Sequence, residues 1–112
     1  MTPEEVVQKQ LEAYNQCDID AFAATYTDDV KVVDGNGKVR CDGIAQLREV
    51  YGPLFKSNPH QVAIITKRIT AADWVIDDEE VIGRADNVRR NAVAIYRVRG
   101  DKIWHVTLVA KS

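Results

Sequence analysis

Acids and phenols are the residues of this sequence best suited to chemistry. Asp34 ends the run "VVD" in the stretch "VVDGNGKV", after two β-branched residues and just before a Gly-Asn-Gly turn. Two readings are open for it. An Asp beside a turn can bond the backbone two residues on and do nothing more. An Asp held at the end of a strand and facing an apolar interior is placed to act as a general base. A second group of acids lies in "DWVIDDEEV". Strand alternation puts Trp74, Ile76, Asp78 and Glu80 on one face, and Val75, Asp77, Glu79 and Val81 on the other. Alternation alone leaves open which face is inward. A solvated acidic strand is one reading. The sharper one is a second carboxylate, from Asp78 or Glu80, facing Asp34 and dividing acid and base roles with it.

Tyr14, Tyr51 and Tyr96 fall at inward positions of their elements. They either pack or offer phenols to a ligand's carbonyl or hydroxyl. Gln10 lies on the inward stripe of the first helix. A buried amide needs partners, so Gln10 is either near the helix surface or part of a polar spot in a pocket. His105 alternates with Trp104 and is expected to point away from the interior. His60 and His105 are far apart and have no i,i+4 partner, so no zinc site is expected. Cys17 and Cys41 lack CxxC spacing and read as unpaired thiols. Neither a metal nor another cofactor is expected.

These residues need elements to position them. "TPEE" is a strong helix start: Thr2 can cap, Pro3 fits the first helical position and Glu5 completes a capping box. Val7, Leu11 and Tyr14 then recur on one helical face. Asp18 caps a short second helix whose apolar face holds Ile19, Phe22 and Tyr26, with Asp28 and Asp29 expected in a solvated turn after it. "TDDVKVVDGNGKVRCDG" reads as strand, turn and strand. A third helix is expected from Ile44 to Phe55, kinked or ended at Gly52-Pro53. From Gln61 the period changes to two. Four strands are predicted, at about Gln61–Thr70, Asp73–Arg84, Asn91–Arg99 and Lys102–Ala110. Their short connections predict an antiparallel meander, and the segregated helices an α+β architecture with helices on one sheet face. In the strand 91–99, Val93 and Ile95 face one way, and Ala92, Ala94, Tyr96 and Val98 the other. Both faces are largely apolar, so a second copy of the chain is the simplest cover for the outer one.

The chain has 112 residues and a formal net charge of -2. That suits a single domain spanning residues 1–112, with a core that needs no staples. Basic residues are scattered, which argues against a nucleic-acid partner. No apolar run approaches the roughly 20 residues that span a bilayer, so no membrane partner is expected. "MTPEEVVQKQ" is acidic and polar, unlike a secretory leader, and the expected compartment is the cytoplasm.

"LEAYNQCDIDAFAATYTDDVKVVD", "GIAQLREVYGPLF" and "AIYRVRGDKIWHV" together resemble the NTF2-like superfamily, in its SnoaL-like and ketosteroid-isomerase-like branch. The resemblance covers nearly the whole chain through the order and spacing of these segments. It implies a cystatin/NTF2-like cone, with three N-terminal helices packed on a curved antiparallel sheet, an apolar pocket open at one end, and homodimers through the outer sheet face. Members range from isomerases, cyclases and dehydratases to non-catalytic binding modules, so the fold alone does not fix the activity.

Alignment on "DVKVVD" carries the isomerase's catalytic Asp onto Asp34 and its supporting Tyr onto Tyr51. Its oxyanion Tyr falls on Gln10 and its protonated Asp on Ala94. The base position is kept and both oxyanion donors are changed. Each such donor is typically worth about 2.7–4 kcal/mol of barrier, so an efficient ketosteroid isomerase is not expected. Tyr14, one turn beyond Gln10, could supply a phenol from another height. The resemblance thus implies Asp34 as catalytic base, with Gln10, Tyr14, Tyr51, Phe55, Asp78, Glu80, Ala94 and Tyr96 around a small apolar molecule. The reaction would be a cofactor-free isomerisation, cyclisation or dehydration. The alternative is the same cone used as a non-catalytic ligand-binding or dimerisation module.

Overall fold

The structure, a computed structural model, describes residues 1–111. Thr2 starts helix α1 (Pro3–Asn15) with the predicted reciprocal box: its hydroxyl accepts from the Glu5 amide, and its own N–H donates to the Glu5 carboxylate at 2.8 Å. Asp18 caps α2 (Ile19–Ala23) by accepting from the Ala21 amide. Strands β1 (Tyr26–Asp34) and β2 (Val39–Asp42) follow, then helix α3 (Ile44–Ser57) and strands β3 (Val62–Ala71), β4 (Trp74–Ile82), β5 (Arg90–Arg99) and β6 (Lys102–Ala110).

The six strands form one open sheet in the order β2-β1-β6-β5-β4-β3. Four of the five pairings are antiparallel, as the short loops require. The exception is β1, which lies parallel to β6. No tight loop joins these two strands, because the chain reaches β6 only after the whole meander, and so nothing imposes the antiparallel direction. The sheet is therefore mixed rather than wholly antiparallel.

Two further expectations change. Asp28 and Asp29 lie within β1, not in a turn, and both are exposed there. Helix α3 runs through Gly52-Pro53 to Ser57. Its Phe55 is still buried beyond the proline, because this last turn packs into the aromatic core.

The helices cover one face of the sheet. Helix α1 packs on β3 to β6, and α3 on β1 and β2. Phe22 is the hub of the core, with ring centroids 4.9 Å from Tyr51, 5.0 Å from Tyr26 and 5.3 Å from Phe55. Val30, Val32, Val75, Ala94, Ile103 and Val106 supply the buried sheet side. Burying one of these valines or the isoleucine fully contributes about 1.5–3 kcal/mol. The opposite face exposes Ile64, Ile69, Trp74 and Val109. Among the described residues no helix is long and apolar enough to cross a membrane.

Candidate functional site

A cavity of about 550 Å³ lies between the helices and the inner face of the sheet. Helix α1 lends it Gln10, Leu11 and Tyr14, and α3 lends Val50, Tyr51 and Leu54. Val32 and Asp34 come from β1, Glu79 and Val81 from β4, and Tyr96 from β5. The segment after β4 adds Arg84 and Arg89. Of the residues singled out from sequence, Asp34, Gln10, Tyr14, Tyr51 and Tyr96 thus meet around one space.

Asp34 is the last residue of β1 and continues the inward alternation of Val30 and Val32. It is not the turn former. Backbone bonds close the turn: the Asp34 N–H donates to Lys38 O, and Gly37 N–H donates to Asp34 O. The side-chain turn bond belongs to Asn36, whose Oδ1 accepts from the Lys38 amide. The Asp34 carboxylate instead lies 3.4 Å from Arg40 Nε, with 36% of its side chain exposed. It is an acid at the rim of the cavity rather than in its depth.

The second acid is not one of those expected. Asp78 and Glu80 point to the outer face, where Lys111 Nζ lies 2.9 Å from Asp78 and Arg89 Nε 3.1 Å from Glu80. Neither lines the cavity. The phase of β4 is set by Val75 and Val81, which are buried and carry Asp77 and Glu79 inward with them. Ala94 is buried on the same face, but does not border the cavity, and Phe55 packs behind it in the aromatic core. Glu79, which does border it, is the acid that alternation left open.

The two inward acids have different surroundings. Asp77, 1% exposed, is met by Arg68 in a bidentate pair, Nε–Oδ1 at 2.7 Å and Nη2–Oδ2 at 2.9 Å. Arg68 Nη1 also donates to Gln8 Oε1. Glu79 has no cation within salt-bridge distance among the described residues. Burial pushes its carboxyl up to about 7. The Asp77 charge adds to the rise, and Arg84 opposes it. Asp77 with Arg68 is thus a structural pair, while Glu79 is poised to hold or release a proton near neutrality.

Four phenols line the same cavity. Desolvation pushes Tyr14, Tyr26, Tyr51 and Tyr96 above the ordinary tyrosine value, and the Glu79 charge adds to each rise. At pH 7 they are therefore neutral groups able to donate. Tyr14 is already engaged: its hydroxyl donates to Gln61 Oε1 at 3.3 Å and accepts from Arg84 Nη2 at 3.1 Å. It therefore offers a ligand no free proton. Gln10 lies beside the Tyr26 hydroxyl. Tyr26, Glu79 and Arg84 are among the cavity groups missed from sequence. For Glu79 the available signal was the Val75–Val81 spacing. Tyr26, whose spacing fits the second helix, instead starts β1.

Arg84 owes its position to Gly83, whose φ is +80°. A Cβ there would come within 2.5 Å of the His60 carbonyl oxygen. The backbone passes this close to residue 60, and Arg84 Nε reaches Gln61 Oε1 at 3.1 Å. His105 lies on the outer face beside Trp104, opposite Arg97. Cys17 and Cys41 are free thiols. Among the described residues no three His, Cys, Asp or Glu side chains gather as metal ligands.

Residues 7–106 match the model of the SnoaL-like domain family. Solved structures share the fold. A cystatin-fold protein from Novosphingobium aromaticivorans is 25% identical, with a TM-score of 0.87 over 96% of this chain and 97% of its own. A Sinorhizobium meliloti protein provisionally described as a polyketide cyclase is 18% identical, with a TM-score of 0.79 over 93% of each chain. A Catenulispora acidiphila protein with a ketosteroid isomerase-like fold, solved in complex with trimethylamine, is 20% identical, with a TM-score of 0.78 over 96% of this chain and 85% of its own. No curated protein matches the sequence.

Proposed function

The chain belongs to the SnoaL-like domain family, and on that premise we propose that its cone binds a small apolar molecule bearing a carbonyl or hydroxyl and moves a proton on it without a cofactor. The observation that carries this reading is the Glu79 carboxyl, held near neutrality in an apolar cavity among four phenols. A carboxyl titrating near the working pH is effective both as donor and as acceptor.

Two carboxyl groups on one cavity allow divided roles. Asp34 removes a proton from carbon, and the C–H electron pair becomes the new double bond. Neutral Glu79 delivers its proton to the oxygen, giving an enol from a carbonyl or releasing water from a hydroxyl. The Arg40 contact at the rim is long and exposed, so it costs Asp34 little of its reactivity. Tyr26, Tyr51 and Tyr96 orient the oxygen where the isomerases' usual donors are replaced by Gln10 and Ala94. The reaction class is isomerisation, cyclisation or dehydration, and steroid isomerisation is not the efficient member of it.

The engaged Tyr14 hydroxyl favours a second reading, in which the cone only carries its ligand. Proton NMR in D2O separates the two. With a panel of small enolisable ketones such as 2-tetralone, the first reading expects deuterium to enter the α-position faster than in buffer. Asp34→Asn and Glu79→Gln should each abolish the acceleration. A ketone that binds, by its own line broadening, yet exchanges only at the buffer rate would leave the carrier reading standing.

The exposed apolar side of the sheet supports a further part of the proposal: two copies pair through it. Arg97 lies there over Trp74 at 4.3 Å and over Trp104 at 4.9 Å, which gathers two indole rings on that face.

A further inference from the structure

Four arginines border the cavity, and three of them have carboxylate partners. Arg40 meets Asp34, Arg89 meets Glu80 and Arg90 meets Asp86. Arg84 has none among the described residues. Its Nε and Nη2 are held by two neutral oxygens, Gln61 Oε1 and Tyr14 Oη, and Nη1 has no partner among the described residues. The guanidinium is thus fixed in orientation with no carboxylate within salt-bridge distance among the described residues, and it acts on Glu79 only from further off. A cation held at a partly closed cavity with no carboxylate in contact is the complement of an anionic oxygen, and arginine's planar fork suits a carboxylate.

We infer that the ligand of the cone is an apolar carboxylic acid whose carboxylate docks on Arg84 while its apolar body fills the space toward Leu54, Val81 and Leu108. This names the ligand class for the site proposed above and rests on that site being a ligand pocket. Glu79 reinforces the choice. An anion seated near Arg84 favours the neutral form of Glu79, so acid binding near neutrality is accompanied by proton uptake. A neutral ligand of the same shape lacks this charge effect and gives a smaller uptake.

Calorimetric titration with naphthalene-2-carboxylate and naphthalene-2-carboxamide, near pH 7.5 in two buffers of different ionisation enthalpy, tests this. The acid is expected to bind about tenfold or more tightly than the amide and to draw a fraction of a proton from the buffer. Arg84→Gln should erase the preference, and Arg84→Lys should keep part of it. Equal affinities in the unsubstituted protein, or a preference that survives Arg84→Gln, would overturn the acid assignment while leaving the pocket intact. Binding of neither probe would overturn the pocket and the acid assignment together.

Discussion

The Tyr14 hydroxyl and the Arg84 guanidinium, 70 residues apart in sequence, meet at 3.1 Å. This contact ties α1 to the segment that follows β4, and Gln61 completes the triangle from the start of β3. It gives the cavity its fixed cation and consumes the one phenol of α1. Gly83 makes the triangle possible, because the positive φ and the close approach to residue 60 exclude any side chain. Gly83→Ala is expected to destabilise the protein by about 2 kcal/mol or more, from left-handed strain and backbone clash together. Chemical denaturation checks this, and an unchanged midpoint would contradict it.

Glu79 makes stability depend on pH with a definite sign. Its folded value of about 7 stands above the ordinary 4.5. Between these values the unfolded chain has released the proton and the folded chain still holds it. Stability therefore falls as pH rises from about 4.5 to about 7 and levels off above that, by up to about 3 kcal/mol. Glu79→Gln should remove this slope and leave the variant more stable than the parent at pH 8. Urea titrations at a series of pH values check it; parallel curves for parent and variant would refute the assignment.

The neighbouring acid behaves differently. Asp77 and Arg68 form a bidentate pair in which Asp77 is almost wholly buried. Removing Arg68 leaves the buried Asp77 charge uncompensated, so Arg68→Ala is expected to cost about 3–5 kcal/mol. Replacing both by apolar residues should cost much less. A double-mutant cycle measures the difference, and a small penalty for the single change would show that the pair is not desolvated as described.

These two acids show where sequence reading stops. The capping box at Thr2, the change of period at residue 61 and the strand end at Asp34 are local signals, and each stands as read. The phase of β4 is not local. One face offers Trp74 and Ile76, the other Val75 and Val81, and acids sit on both. Burial chooses the smaller valines because the inner face must fit around α1, while the outer face stays broad and apolar enough to hold Trp74 and Ile76. That choice replaces Asp78 and Glu80 by Asp77 and Glu79. The Arg84 contacts are equally invisible, since they join three elements through a glycine whose φ no pattern reveals. The parallel β1–β6 pair follows from the order of the whole sheet rather than from any loop.

The outer face supplies a separate prediction. Ile64, Ile69, Trp74 and Val109 are exposed together on one side of the sheet, and apolar area of this kind marks an interface. Sedimentation at micromolar concentration is expected to show a dimer, and Trp74→Glu to shift it to monomer. A monomeric parent protein would remove the second copy from the proposal.

Gln10 and Ala94 stand where an isomerase carries its oxyanion donors, and Tyr14 is bonded elsewhere. Turnover of a Δ5-3-ketosteroid should therefore be lower by about 10³-fold or more than the rate such donors support. A stopped-flow absorbance assay reads it directly; rates typical of an efficient isomerase would show that Tyr26, Tyr51 or Tyr96 replaces both donors in full.

The proton transfer proposed for the cone depends on Glu79 exchanging its proton near neutrality. A carboxyl-detected 13C NMR titration of the Glu79 resonance, assigned by its loss in Glu79→Gln, measures this directly. The expected midpoint is about 7. A midpoint at the ordinary 4.5 would place the carboxyl in water, and would contradict the buried acid on which the proposed chemistry stands.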